Sequence, residues 1–185
     1  QVNVGTQPMS KLGIIVALTL SLLSGAVYAD LKKIDRGSSS WPSDKGYWLI
    51  FVARDSVPGH AYVVWGIRNR KTNKWNSLFG FGKYPINSAK VAFGTIPGKI
   101  VKESTSSLNS ANNGLAVGVT KQMYDYALTN TNAIRSSTVP YNLIDKSCVD
   151  FTELVARAIG LNSSEPTGLE NHPQEFINKL KKSNS

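Results

Sequence analysis

Apolar residues run almost without interruption from Tyr47 to Ala53, and the run is rich in aromatic and branched side chains. Such a short run predicts a buried strand. Turn chemistry follows at Asp55-Ser56-Val57-Pro58-Gly59, and His60 to Ile67 predicts a second strand. The polar, basic stretch Asn69 to Lys74 predicts a hairpin loop. Trp75 to Phe81 predicts a third strand, with glycines at 80 and 82 permitting a bend. Lys90 to Phe93 and Lys99 to Lys102 read as further short strands, separated by Pro97-Gly98. Residues 30–46 are polar and read as a loop or an ordered lead-in. The Ser- and Asn-rich residues 104–114 read as an exposed loop.

The period then changes. From Val119 to Ala133 the apolar positions 119, 123, 126 and 127 fall at helical spacing. From Cys148 to Ile159 they fall at 148, 151, 154, 155, 158 and 159, which predicts an amphipathic helix ended by Gly160. A last helix is predicted from Pro173 to Lys181, with Asn171 near its start and Phe176, Ile177 and Leu180 on one face. The order is mostly strands and then mostly helices, so the expected class is α+β.

The N-terminus is of another kind. Met-Ser-Lys at 9–11, an apolar run from Leu12 to Leu23 and the small residues ending at Ala29 match a secretory signal peptide. Cleavage after Ala29 is expected, with residues 1–29 as leader and signal and residues 30–185 as a single domain. The apolar run is short for a membrane span. Lys11 is the only charged residue in the leader, so the remainder of a chain with net charge +9 stays strongly basic. The expected location is periplasmic or secreted.

Composition narrows the chemistry. The 185 residues contain one cysteine and two histidines, which excludes an intrachain disulfide framework and a Cys-rich zinc site. Thiol–imidazole chemistry must therefore use Cys148 with His60 or His172. An unpaired thiol is a liability in an oxidising compartment, so export favours a reactive role for Cys148. Ser147 is a good N-cap, and Asp150 stands in capping-box position with Asp in place of Glu or Gln. The thiol then sits in the first turn of a helix. There the macrodipole favours an anionic sulfur, and free N–H groups can hold an oxyanion. The competing reading makes Cys148 a small buried hydrophobe of the helix face.

A thiol nucleophile needs a base. His60 opens a strand directly after Pro58-Gly59, which holds a side chain rigidly at a sheet end. His172, between Asn171 and Pro173, reads as a polar residue at a helix start. His60 is therefore the expected base, against the alternative of a structural histidine.

Gly59-His60-Ala61-Tyr62 on a strand is followed by Tyr141-Asn142-Leu143 and then by Ser147-Cys148-Val149-Asp150-Phe151 opening a helix. Together they resemble the circularly permuted NlpC-like branch of the papain-fold cysteine hydrolases, in the superfamily that includes the lecithin:retinol acyltransferase-like proteins. The likeness spans residues 47–181. It implies a small antiparallel sheet packed against a cysteine-bearing helix, with the histidine strand preceding that helix. It also implies a third polar residue orienting the histidine from the paired strand. Residues 80–83, opposite His60, offer only glycines, Phe81 and Lys83. Ser77 is taken as the third member, and a backbone carbonyl or water is the alternative.

The resemblance implies acyl transfer through a thioester and needs no cofactor or metal. Cys148 attacks a carbonyl, His60 moves the proton and water releases the product. The implied substrate is an amide bond in peptidoglycan peptides, for wall remodelling or as an antibacterial effector. An effector would bring an immunity protein or inhibitor as a partner. The basic surface suits peripheral contact with an anionic cell envelope. A lipid or thioester acyl hydrolase or acyltransferase on the same fold is the alternative, as is a non-catalytic secreted binding module. Lys and Arg interleaved with Trp65, Trp75 and Tyr84 could serve nucleic-acid stacking. Export and the lack of a nucleic-acid motif argue against that partner.

Overall fold

The computed structural model describes residues 30–55, 59–163 and 172–185. The expected leader and signal peptide, residues 56–58 of the first turn, and residues 164–171 with Asn171 lie outside the described residues.

The fold is α+β. Among the described residues seven strands form one sheet: β1 (Asp30–Asp35), β2 (Lys45–Arg54), β3 (His60–Asn69), β4 (Trp75–Pro85), β5 (Ile96–Lys102), β6 (Asn113–Val119) and β7 (Val139–Tyr141). The order across it is β1-β6-β2-β3-β4-β5-β7. Among the described residues four α-helices accompany it: α1 (Thr105–Asn109), α2 (Lys121–Arg135), α3 (Cys148–Ala158) and α4 (Pro173–Ser183).

The sheet is larger than the small antiparallel sheet expected, and its β1–β6 pair is parallel. The difference comes from segments whose pattern concealed their structure. Residues 30–35 carry Lys32 and Lys33 and lack an apolar run, yet they form β1 at the sheet edge. An edge strand needs only one partner and is protected by charge. Residues 104–114 are not an exposed loop. They hold α1, capped by Ser104 through a bond from the Ser107 N–H at 3.1 Å, and the start of β6. All of β6 is buried between β1 and β2. Its Gly114 and Gly118 weakened the strand signal, but Gly118 gives the Trp41 ring room to lie against the backbone. α2 consequently starts at Lys121, after the Thr120 cap. Residues 90–93 fall in a 3-10 turn, Ser88–Phe93, rather than a strand.

β2 and β3 are the central pair, in register from Lys45↔Asn69 to Arg54↔His60. Side-chain alternation divides the core between the two faces. On one face Leu49, Phe51, Ala61, Val63, Trp65, Phe81, Leu115 and Val117 pack against α2, α3 and α4. On the other, Ile50, Val52, Tyr62 and Val64 meet Leu108 of α1. In α3, Cys148, Phe151 and Val155 are buried as the helical spacing predicts, and Ile159 just after it is too, but Leu154 is exposed and Val149 and Ala156 are buried in addition. Each of its larger buried apolar side chains contributes roughly 1.5–3 kcal/mol by leaving water. Position 126 is the exception to the α2 pattern. Tyr126 is exposed, and Tyr124, Ala127 and Thr131 form the buried stripe.

Candidate active site

Cys148 is the first residue of α3 and is buried at its N-terminus. The capping box is formed. The Ser147 N–H donates to Asp150 Oδ2 at 2.6 Å, and the Val149 N–H donates to Ser147 Oγ at 3.1 Å. These bonds use the amides on either side of Cys148. The Cys148 N–H belongs to the first turn, where no carbonyl of the helix can reach it, so it is the natural donor to a developing oxyanion.

His60 is the first residue of β3 and is 5% exposed. The Cys148 sulfur is close enough to raise the pKa of its ring. Its Nε2 lies 3.0 Å from Glu103 Oε1, so Nδ1 is the ring nitrogen that the carboxylate does not engage. The ring also packs against Tyr84, with centroids 4.3 Å apart. The two residues expected to supply nucleophile and base therefore lie within interaction range of each other. His172 does not join them; it is exposed at the start of α4, with Nδ1 3.9 Å from Glu175 Oε1.

Ser77 is not beside the histidine. It pairs with Ile67 toward the far end of the hairpin. The polar residue on His60 is Glu103, directly after β5, which the sequence reading missed. Glu103 is 7% exposed, and donors surround it. Tyr84 Oη donates at 2.9 Å to Oε1 and 3.0 Å to Oε2, and Ser107 Oγ donates to Oε2. The Glu103 N–H is held by the Gly80 carbonyl at 2.8 Å.

The signal for this carboxylate lay in the glycines. β5 is one strand further from β3, so its side chain must cross β4 to reach His60. It crosses over Gly80 and Gly82. A Cβ at Gly82 would stand 2.5 Å from His60 Nε2 and would also collide with Glu103 Oε1. What looked like an absence of polar residues opposite His60 is the space through which Glu103 enters.

The electrostatics follow from this packing. Burial pulls the His60 pKa down, but the hydrogen bonds and charges of Cys148 and Glu103 outweigh it and raise it above the ordinary 6.5. Burial pushes Glu103 up, and the bonds from His60, Ser107 and Tyr84 with the imidazole charge bring it below the ordinary 4.5. Burial and the adjacent carboxylate raise the Tyr84 phenol, so it stays a donor. The arrangement suits an imidazolium held between a sulfur and a carboxylate. Among the described residues, no group of three or more His, Cys, Asp or Glu side chains could hold a metal ion. No family model, curated protein or solved structure matches the chain.

Proposed function

We propose that the protein is an exported cysteine hydrolase that cleaves amide bonds in peptidoglycan peptides, with Cys148 as nucleophile, His60 as base and Glu103 as orienting carboxylate. The observation that carries this reading is the burial together of Cys148, His60 and Glu103, with Glu103 bonded to the His60 ring at 3.0 Å and Cys148 near enough to raise its pKa. Nucleophile, base and orienting group in sequence form the arrangement that activates a thiol. The substrate class rests on the likeness to the permuted NlpC-like papain-fold enzymes and on the signal-like N-terminus. A histidine strand preceding a cysteine helix agrees with that likeness.

In this mechanism the Cys148 sulfur bonds to the carbonyl carbon while its proton passes to His60. The oxyanion takes the Cys148 N–H. His60 then protonates the departing amine as the C–N bond breaks, leaving a thioester. Water attacks the thioester, His60 removes its proton, and the acid leaves as the sulfur recovers a proton. Glu103 holds the ring's Nε2 side throughout and offsets its positive charge.

The test is digestion of purified peptidoglycan with mass analysis of the fragments. Wild type should release peptides cut at an amide, and Cys148→Ala should release none while keeping its fold. Wild-type digests indistinguishable from those of Cys148→Ala would refute the reading.

One observation favours acyl hydrolysis of a lipid or thioester as a second reading. A groove of about 650 Å³ lies between α2 and α3, lined by Tyr126, Ala127, Ile134, Leu154 and Val155 and reaching Asp150, two residues from the thiol. It offers an acyl chain an apolar bed. Cys148-dependent hydrolysis of long-chain esters, with peptidoglycan left intact, would select this alternative.

A further inference from the structure

Lys83 follows Gly82 on β4. Alternation therefore turns its side chain away from the Gly82 and Tyr84 face, toward the face where Phe81 and Cys148 pack. Gly82 abuts the His60 ring, so Lys83 is one residue from the base. Lysine is rarely buried without an anion, yet Lys83 is only 9% exposed.

No hydrogen bond or ion pair to its ammonium is formed among the described residues. Its close partner is the Tyr141 ring, with Nζ 5.7 Å from the centroid. Asp150 and Asp145 act on it only at longer range, as does Lys146 with opposite sign. Both carboxylates are engaged elsewhere: Asp150 caps α3, and Asp145 accepts from the Asn142 amide at 2.5 Å. The Cys148 sulfur lies within the same electrostatic range of Lys83. Burial draws the amine below its ordinary 10.5, a cost that nearby negative charge offsets only in part. A desolvated cation without an anion beside a candidate nucleophile suits a ligand that brings the anion.

We propose that Lys83 anchors a carboxylate of the substrate next to the carbonyl that Cys148 attacks, so that the enzyme selects acidic acyl compounds, such as peptides with a free carboxylate flanking the scissile amide. This rests on the cysteine-hydrolase reading. The Tyr141 ring lies beneath the ammonium and holds it on the Cys148 side of the sheet. Lys83 thereby acts on which substrate is held, and the proton transfers remain with His60.

The test uses two alkylating probes of the same shape and different charge, iodoacetate and iodoacetamide. In each, the sulfur bonds to the methylene carbon, iodide leaves and the thiol proton passes to base. Cys148 is the only cysteine, so one mass shift reports the rate. The iodoacetate-to-iodoacetamide rate ratio should fall about tenfold or more in Lys83→Met and Lys83→Gln, the size expected for one charge-assisted contact, and persist in Lys83→Arg. Met and Gln both remove a buried charge, so either variant that folds carries the comparison.

An unchanged ratio overturns the anchor. So does an equal slowing of both reagents, which would mean that Lys83 acts on the sulfur and not on the carboxylate. Failure of the underlying reading looks different. There His60→Ala would leave both wild-type rates unchanged, whatever the ratio does in the Lys83 variants.

Discussion

Glu103 is balanced by three side-chain donors, and its charge is what the buried His60 ring leans on. Two expectations follow at this scale. The first concerns pH. A raised histidine stabilises the fold fully below its unfolded value of 6.5 and loses that contribution as pH climbs through the folded value. A lowered glutamate contributes fully above 4.5 and loses it as pH falls through its folded value. Both contributions are complete between pH 4.5 and 6.5. The stability difference between wild type and Glu103→Gln, measured by urea denaturation, should be largest in that window and shrink at higher pH. A difference that grows toward pH 8 would contradict the pairing. The second concerns Gly82. Gly82→Ala should cut hydrolysis on the order of a hundredfold or more, the scale of a displaced general base, because its Cβ falls 2.5 Å from His60 Nε2. Gly80→Ala meets the end of Leu108 at 3.0 Å, the Val63 carbonyl at 3.2 Å and Glu103 Cγ at 3.3 Å, all looser than the contacts at Gly82, and should cost less activity in the same assay.

At the scale of elements, α3 does two jobs. Its apolar stripe fixes it to β3 and β4, and its capped end presents the thiol. Ser147→Ala removes one half of the capping box and should cost about 1 kcal/mol of stability, read from the denaturation midpoint. Cys148 alkylation by iodoacetamide should slow in the same variant, since the first turn frays. A stability loss with no change in alkylation would separate the cap from the thiol's position. The helix was legible in sequence because one periodic stripe, one N-cap and one terminal glycine all agree. Its partner strand was legible because β3 is a continuous apolar run bounded by turn residues. β6 was not, since a central strand containing Gly114 and Gly118 beside a Ser- and Asn-rich stretch carries little local signal.

At the scale of the whole molecule, Asp30 opens β1, and its carboxylate pairs with Lys181 of α4 at 2.6 Å. Cleavage after Ala29 would keep β1 entire and this tie available. The proposed export predicts that protein recovered from the cell envelope or medium begins at Asp30 on N-terminal sequencing. A protein retaining Met9 would contradict the signal peptide.

Local pattern by itself determined which segments would be the histidine strand and the cysteine helix, and it singled out Cys148 and His60 as the candidate pair. Those are properties of short windows: periodicity, caps, turn residues and counts. The third residue belonged to no window. Ser77 was the nearest polar choice along the paired strand, but a strand's two ends are far apart in space, and register sets Ser77 against Ile67. Glu103 comes from the next strand over and reaches His60 only because β4 lacks side chains at 80 and 82. Lys83 shows the same limit: its charge is plain in the sequence, but its burial without an anion exists only once β4, α3 and Tyr141 are packed. Side-chain reach across neighbouring strands is decided by tertiary register, which no single stretch of the chain encodes.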